Sequence, residues 1–156
     1  NRELSDSLKN TLPQFKTRKG RTVYGGGGIT PDIYFQDTTK LSEKTVDLIY
    51  NPQRPIFNYT ESIKENYSNS KNYDLFITDA SEAINIIDFI NWLKDNDYNY
   101  IQLDIDKDWS HIKNRIIAEL ANKVFDRKFY YKTLIMSDKT ILEALNYFDE
   151  AKTLLN

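Results

Sequence analysis

Apolar residues recur along this chain with two different rhythms, a short alternating one at the front and a helical one behind. Over residues 42–156 they return every three or four positions, the spacing that lines one face of an α-helix. A first helix is expected over 42–50, with Ser42 as its N-cap, Thr45 in its first turn and Pro52 beyond its end. Pro55 opens a second, through about Tyr67, with Ile56, Tyr59, Ile63 and Tyr67 inward. The polar run SNSKNYD reads as a linker. Ser81 then caps a strong helix in which Ala83, Ile86, Ile87, Ile90 and Leu93 form one stripe, widened by Phe89. DNDYNY breaks it. Trp109, Ile112, Ile116, Leu120 and Val124 make the next stripe. Ser137 is expected to cap a last helix, with Ile141, Leu145, Phe148 and Leu155 inward. KFYYKTLIM, residues 128–136, fits either an extension of the preceding helix or a packed loop.

The front differs. All five glycines lie between Gly20 and Gly28, and all four prolines lie at or before Pro55. The back therefore lacks both strong interrupters of helices. Residues 14–17 and 21–24 read as two short strands around a turn at 18–20, and Asp32, Ile33, Tyr34 and Phe35 follow as an extended or edge-like piece after Pro31. The expected architecture is mainly α (α+β overall): a short N-terminal β-hairpin and loop strip over 1–36, then a bundle of about five helices over 42–156 around one core. A strand pair this small needs another sheet or helix to cover it.

Composition narrows the function classes. The formal charge is −2, so no global field draws the chain to nucleic acid or to a membrane. The absence of Cys excludes disulfides, zinc fingers, iron–sulfur sites and a thiol nucleophile. No apolar run approaches the length of a membrane span, and no signal peptide is visible. The chain opens NRELSDSLKN without Met, and reads as a mature product or an excised piece with any targeting signal upstream. Asn, Asp, Lys, Ile and Tyr abound, a bias of A/T-rich bacterial genomes.

Several candidate sites are weak. VYGGGGITPD lacks the Lys-Ser/Thr and the following helix of a phosphate loop, and Thr30 stands where a dinucleotide fingerprint needs its third Gly. The glycines Gly25 to Gly28 instead supply positive φ or close backbone approach. KTRKGR, residues 16–21, could meet phosphates, but reads better as a solvated hairpin tip that discourages edge pairing. Asp104, Asp106 and Asp108 imitate an EF-hand opening, yet Trp109 and Arg115 replace the required Gly and Glu. These acids suit the positive end of a helix starting near them. His111, the only histidine, points about 100° away from the adjacent Ser110 on a helix and forms no nucleophile–base pair with it. Asn58-Tyr-Thr60 and Asn66-Tyr-Ser68 fit the glycosylation triplet, a pattern common by chance. The many tyrosines and phenylalanines fall mostly at core spacings.

The front carries a resemblance. FKTRKGRTVYGGGGITPDIYF, residues 15–35, resembles the end of the protease core in the C-terminal processing (tail-specific) serine proteases, in the form found in Bacteroidetes-type members. The shared elements are the aromatic-x-Thr strand (Phe15, Thr17), the turn with Gly20 and Arg21, and the run Gly25, Gly26, Gly27, Gly28 leading into Ile29, Pro31 and Asp32. HIKNRIIAELANKVFDRKFYY and SDKTILEALNYF are more loosely similar to the helical region that follows that core. The resemblance implies a serine endopeptidase using a Ser–Lys dyad, with a neutral, desolvated Lys as base. In that family the Ser lies in a Ser-Ala-Gly-like turn and the Lys in a Gly-Lys-Gly-like context, both before the aromatic-x-Thr strand. Neither motif occurs in this chain, so no catalytic residue, metal ligand or cofactor is assigned to it. The implied partners are upstream protease and PDZ domains of the same polypeptide and unfolded or tail-bearing substrates; the implied location is the periplasm or cell envelope. The helical region would brace the core or gate substrate access. Alone, the chain is expected to hydrolyse nothing. Residues 14–24 are expected to be disordered, folded onto the helices, or paired with a second copy. The alternative is a self-contained helical protein-binding module with an adhesive β-arm.

Overall fold

The computed structural model describes residues 11–26 and 39–155, and divides the chain into two units, Asn1–Thr38 and Thr39–Asn156. In the first, strands β1 (Gln14–Lys16) and β2 (Thr22–Tyr24) pair antiparallel with Phe15 opposite Val23. The expected strand–turn–strand forms, each strand one residue shorter than read. Pro31 and the extended piece after it lie outside the described residues.

The second unit is helical. It contains α1 (Glu43–Ile49), α2 (Pro55–Ile63), which tightens into a 3-10 turn (Lys64–Tyr67), α3 (Tyr73–Ala83), α4 (Ile86–Asp95), α5 (Gln102–Val124), α6 (Arg127–Met136), α7 (Lys139–Leu145) and α8 (Phe148–Leu155). The mainly α class with an N-terminal hairpin is as expected; the helix count is eight among the described residues, rather than about five.

Helix α5 is the axis. It packs against α1, α2, α3, α4 and α6. Ile112, Ile116 and Leu120 are fully buried along it, and Trp109 and Val124 sit half-buried at the margins of the stripe. From α2, Ile56 and Tyr59 enter the same core, as does Tyr67 at the end of the 3-10 turn; from α4 come Phe89 and Leu93.

Four departures from the sequence reading share one cause: side-chain caps made by Asn and Asp. Asn72, inside the supposed linker, accepts the N–H groups of Asp74 and Leu75 and starts α3. Ser81 therefore lies within α3 and caps nothing. Asn85 caps α4 by accepting the Asp88 N–H, after an extended Ile84 interrupts the two helices. That break rephases the stripe, so Ala83 and Ile87 face solvent and Phe89, expected at the margin, becomes its centre. Asp126 caps α6, making residues 127–136 a helix of their own. Asp138, not Ser137, caps α7.

The C-terminal stripe is also corrected. Ile141, Leu145 and Phe148 are exposed, not inward, and the expected single helix is split by a turn at Asn146 and Tyr147 into α7 and α8. DNDYNY does end a helix: Asp97 adopts a left-handed φ of 56°, and the Tyr98 N–H returns to the Leu93 carbonyl while the Asp97 N–H returns to that of Lys94.

Candidate functional site

The motif-bearing strip is shaped by its glycines. Gly20, at φ +81°, closes the turn, with its N–H on the Thr17 carbonyl and the Thr17 N–H on that of Arg21. The Thr17 hydroxyl accepts the Arg21 N–H at 3.1 Å, so the aromatic-x-Thr and Gly-Arg elements lock one another. Gly25 donates to the Pro13 carbonyl, and a Cβ there would come within 2.6 Å of the Phe15 ring. Gly26 has φ +104°. The backbone role read for the run Gly25 to Gly28 is thus seen at Gly25 and Gly26. Gly27, Gly28, Ile29, Pro31 and Asp32 lie outside the described residues.

The remaining sequence candidates are scattered. Lys16, Arg18, Lys19 and Arg21 sit exposed at and beside the hairpin tip. Asp104, Asp106 and Asp108 are all inside α5, so no calcium loop exists there. Asp104 occupies the first turn, where its charge suits the helix dipole. His111 is exposed on α5. Asn58 lies in α2, donating to the Gln53 carbonyl and the Tyr98 hydroxyl, and Thr60 of that triplet is fully buried; Asn66 and Ser68 are exposed. Of the tyrosines, Tyr59, Tyr67 and Tyr73 are core residues. Burial pushes the Tyr59 phenol up to about 12, and its ring meets Phe89 and Trp92 edge-on.

Two polar clusters escaped the sequence reading because their members lie far apart in the chain. In the first, the Asp108 carboxylate, buried at the α1–α5 contact, accepts the Ser42 backbone N–H at 2.7 Å. Burial raises the Asp108 carboxyl. The bond from the Ser42 N–H, those from the Thr45 and Ser42 hydroxyls and the Lys107 charge outweigh it, holding the group below its ordinary value. Ser42 occupies the expected N-cap, yet its own side chain caps nothing; instead its hydroxyl accepts from Lys107 Nζ at 3.2 Å. This is a Ser–Lys contact without the makings of a nucleophile–base pair. Lys107 is exposed, and it donates to the hydroxyl rather than accepting from it.

In the second cluster, Glu61 accepts from Lys123 and, at 2.8 Å, from Lys64. The bond from Lys123, then that from Lys64, pulls the Glu61 carboxyl down to about 2. The Lys123 side chain is only 9% exposed, and its ammonium sits 3.3 Å from the Phe57 ring centre, with the Arg54 guanidinium 3.9 Å from the same ring. A shallow cleft beside it is lined by Ile49, Arg54, Ile56, Phe57, Arg115 and Glu119. An open groove of about 420 Å³ runs past Asn66, Asn69, Ser70, Asn72 and Leu75. Both clusters tie helices together. Among the described residues, no group of three or more acidic or histidine side chains is placed to hold a metal ion, and no helix is long and apolar enough to cross a membrane.

No protein-family model, curated protein or solved structure matches this chain.

Proposed function

We propose that this chain is the C-terminal part of a serine endopeptidase similar to the tail-specific proteases, its helical unit bracing the protease core or gating substrate access. The observation that supports this reading is the hairpin. The described residues of the family motif lock one another through Thr17, Gly20 and Arg21, and the sheet among the described residues has two short strands. A strip of this size is a fragment of sheet, whose outer edges call for further strands. On this reading those strands, the Ser–Lys dyad and a tail-binding PDZ domain stand upstream, the substrates are unfolded or tail-bearing proteins, and the location is the periplasm or cell envelope. The chain alone is then inactive.

A second reading, a self-contained helical binding module with a β-arm, draws on Phe15, which stays 59% exposed on its strand. The gene sequence before Asn1 separates the two. An open frame running back through Ser-Ala-Gly and Gly-Lys-Gly motifs supports the protease; a start codon and signal peptide next to Asn1 support the module. Hydrolysis of an unfolded protein by the purified chain, abolished by one point mutation in it, would overturn the inactive-fragment reading.

A further inference from the structure

Two guanidinium groups share one small cleft without a carboxylate to hold either. Arg54 and Arg115 line it together with Ile49, Ile56, Phe57 and Glu119. Among the described residues, neither arginine makes an ion pair. Arg115 and Glu119 stand four apart on α5, but the cation precedes the anion, the poorer order for such a pair, and they stay unbridged. Lys123, the next cation along, is already taken by Glu61. The cleft therefore carries two positive charges against one negative, in a chain whose net charge is −2. Arg115 is half-buried there. Arg54 has a φ of 52°, a left-handed backbone that costs any residue with a Cβ free energy. Its guanidinium rests 3.9 Å from the Phe57 ring centre, which holds the flat group in place.

We infer that this cleft binds a carboxylate on a short aliphatic stem, with Arg54 and Arg115 donating to its oxygens and Ile49, Ile56 and Phe57 packing its methylenes. Charge and size select the class. The excess of one positive charge matches one carboxylate. A phosphoryl group carries about −1.5 to −2 at pH 7, more than the cleft balances, and would also face Glu119. The cavity measures about 70 Å³, far below the roughly 300–1,000 Å³ of a cofactor pocket, so it admits an acid the size of a side chain and no nucleotide. An acidic peptide segment and a free small acid offer the same group, and the test separates them. The inference is independent of the protease reading.

The test is an NMR titration of the 1–156 chain at low salt, following the Nε–H signals of Arg54 and Arg115 and the backbone signal of Phe57. The probes are the capped peptide Ac-Ala-Glu-Ala-NH2, its Gln counterpart, sodium butyrate and inorganic phosphate. The expected result is a saturating shift of these signals with the Glu peptide, with butyrate, or with both, and none with the Gln peptide. The tighter of the two carboxylates names the source. R54Q and R115Q should each weaken binding at least about tenfold, the scale of one charge-assisted hydrogen bond. E119Q removes the competing carboxylate and should tighten it, a gain that misfolding cannot imitate. Added salt should weaken it. Absence of saturation with both carboxylates overturns the inference, as does equal binding of the Gln peptide. So does binding that survives both arginine variants, or phosphate binding tighter than either carboxylate, which would assign the cleft to another class of anion.

Discussion

Asp108 accepts the backbone N–H of Ser42 across 66 residues of chain, at 2.7 Å. The bond joins the N-cap of α1 to the second turn of α5, and it takes the place of a local side-chain cap on α1. A buried carboxylate on a backbone donor is worth about 1.5–3 kcal/mol, and losing it leaves that donor short of a partner. Asp108→Ala should therefore destabilise the helical unit by about 2–3 kcal/mol in urea denaturation at pH 7. The effect has a definite pH dependence. Because the folded-state value is depressed, the contribution is complete above the unfolded-state value of about 4 and is lost as pH falls through the lower folded value. The wild type and Asp108→Asn should converge in stability as the pH is lowered through that folded value. A difference that stays constant from pH 7 to pH 2 would show that the charge is not what matters.

Glu61 offers a cleaner titration, because it is accessible to solvent. Its carboxyl is held at about 2 chiefly by the hydrogen bond from Lys123 and next by that from Lys64. A side-chain NMR titration should give a midpoint near that value. Lys123→Met should raise it toward the ordinary carboxylate range, and Lys64→Met should raise it less. Whatever stability this group adds is present above its unfolded value and disappears as the pH falls toward 2. Equal shifts from the two variants would contradict the geometry, in which Lys123 is clamped between Glu61 and Phe57 while Lys64 stays open to water.

The long-range stripes were legible in the sequence. Ile112, Ile116 and Leu120 on α5, and Ile56 and Tyr59 on α2, repeat at helical spacing without interruption, and burial follows period. Helix starts were not. Ser was read as the cap at 81 and 137, whereas the chain uses Asn85 and Asp138, each a residue or a few further on. Ser, Asn and Asp accept the same N–H groups, so sequence alone ranks them poorly when several stand close together. Tyr73 lies inside the supposed linker SNSKNYD, and Phe76 lies between that linker and the cap expected at Ser81, a stretch the stripes left unassigned. Asp108 and Lys123 were out of reach altogether: their partners Ser42 and Glu61 are distant in sequence, and a single charged residue on a helix gives no sign of what it will meet.

The cap assignment can be tested directly. The Asn85 Oδ1 accepts the Asp88 N–H at 3.0 Å. Asn85→Ala should cost about 1 kcal/mol, while Ser81→Ala, inside α3, should stay within about 0.5 kcal/mol of wild type. Chemical denaturation of the two variants settles which residue starts α4. The reverse order would restore the boundary that the hydrophobic stripe alone suggested.

Phe76 gives the last prediction, and it bears on the helix that the polar linker concealed. Its side chain is 1% exposed, and its ring meets Tyr67 at 5.7 Å and Phe125 at 5.4 Å, both edge-on. It thus links α3 to the end of the 3-10 turn and to the end of α5. Truncation to Ala removes a large buried ring and its aromatic contacts, a loss of about 3–5 kcal/mol. Phe76→Leu keeps most of the volume and should cost less than half as much. If residues 73–83 were instead a solvated linker, both variants would melt with the wild type. A thermal scan of the three proteins therefore distinguishes a helix that completes the core from a connection that only spans it.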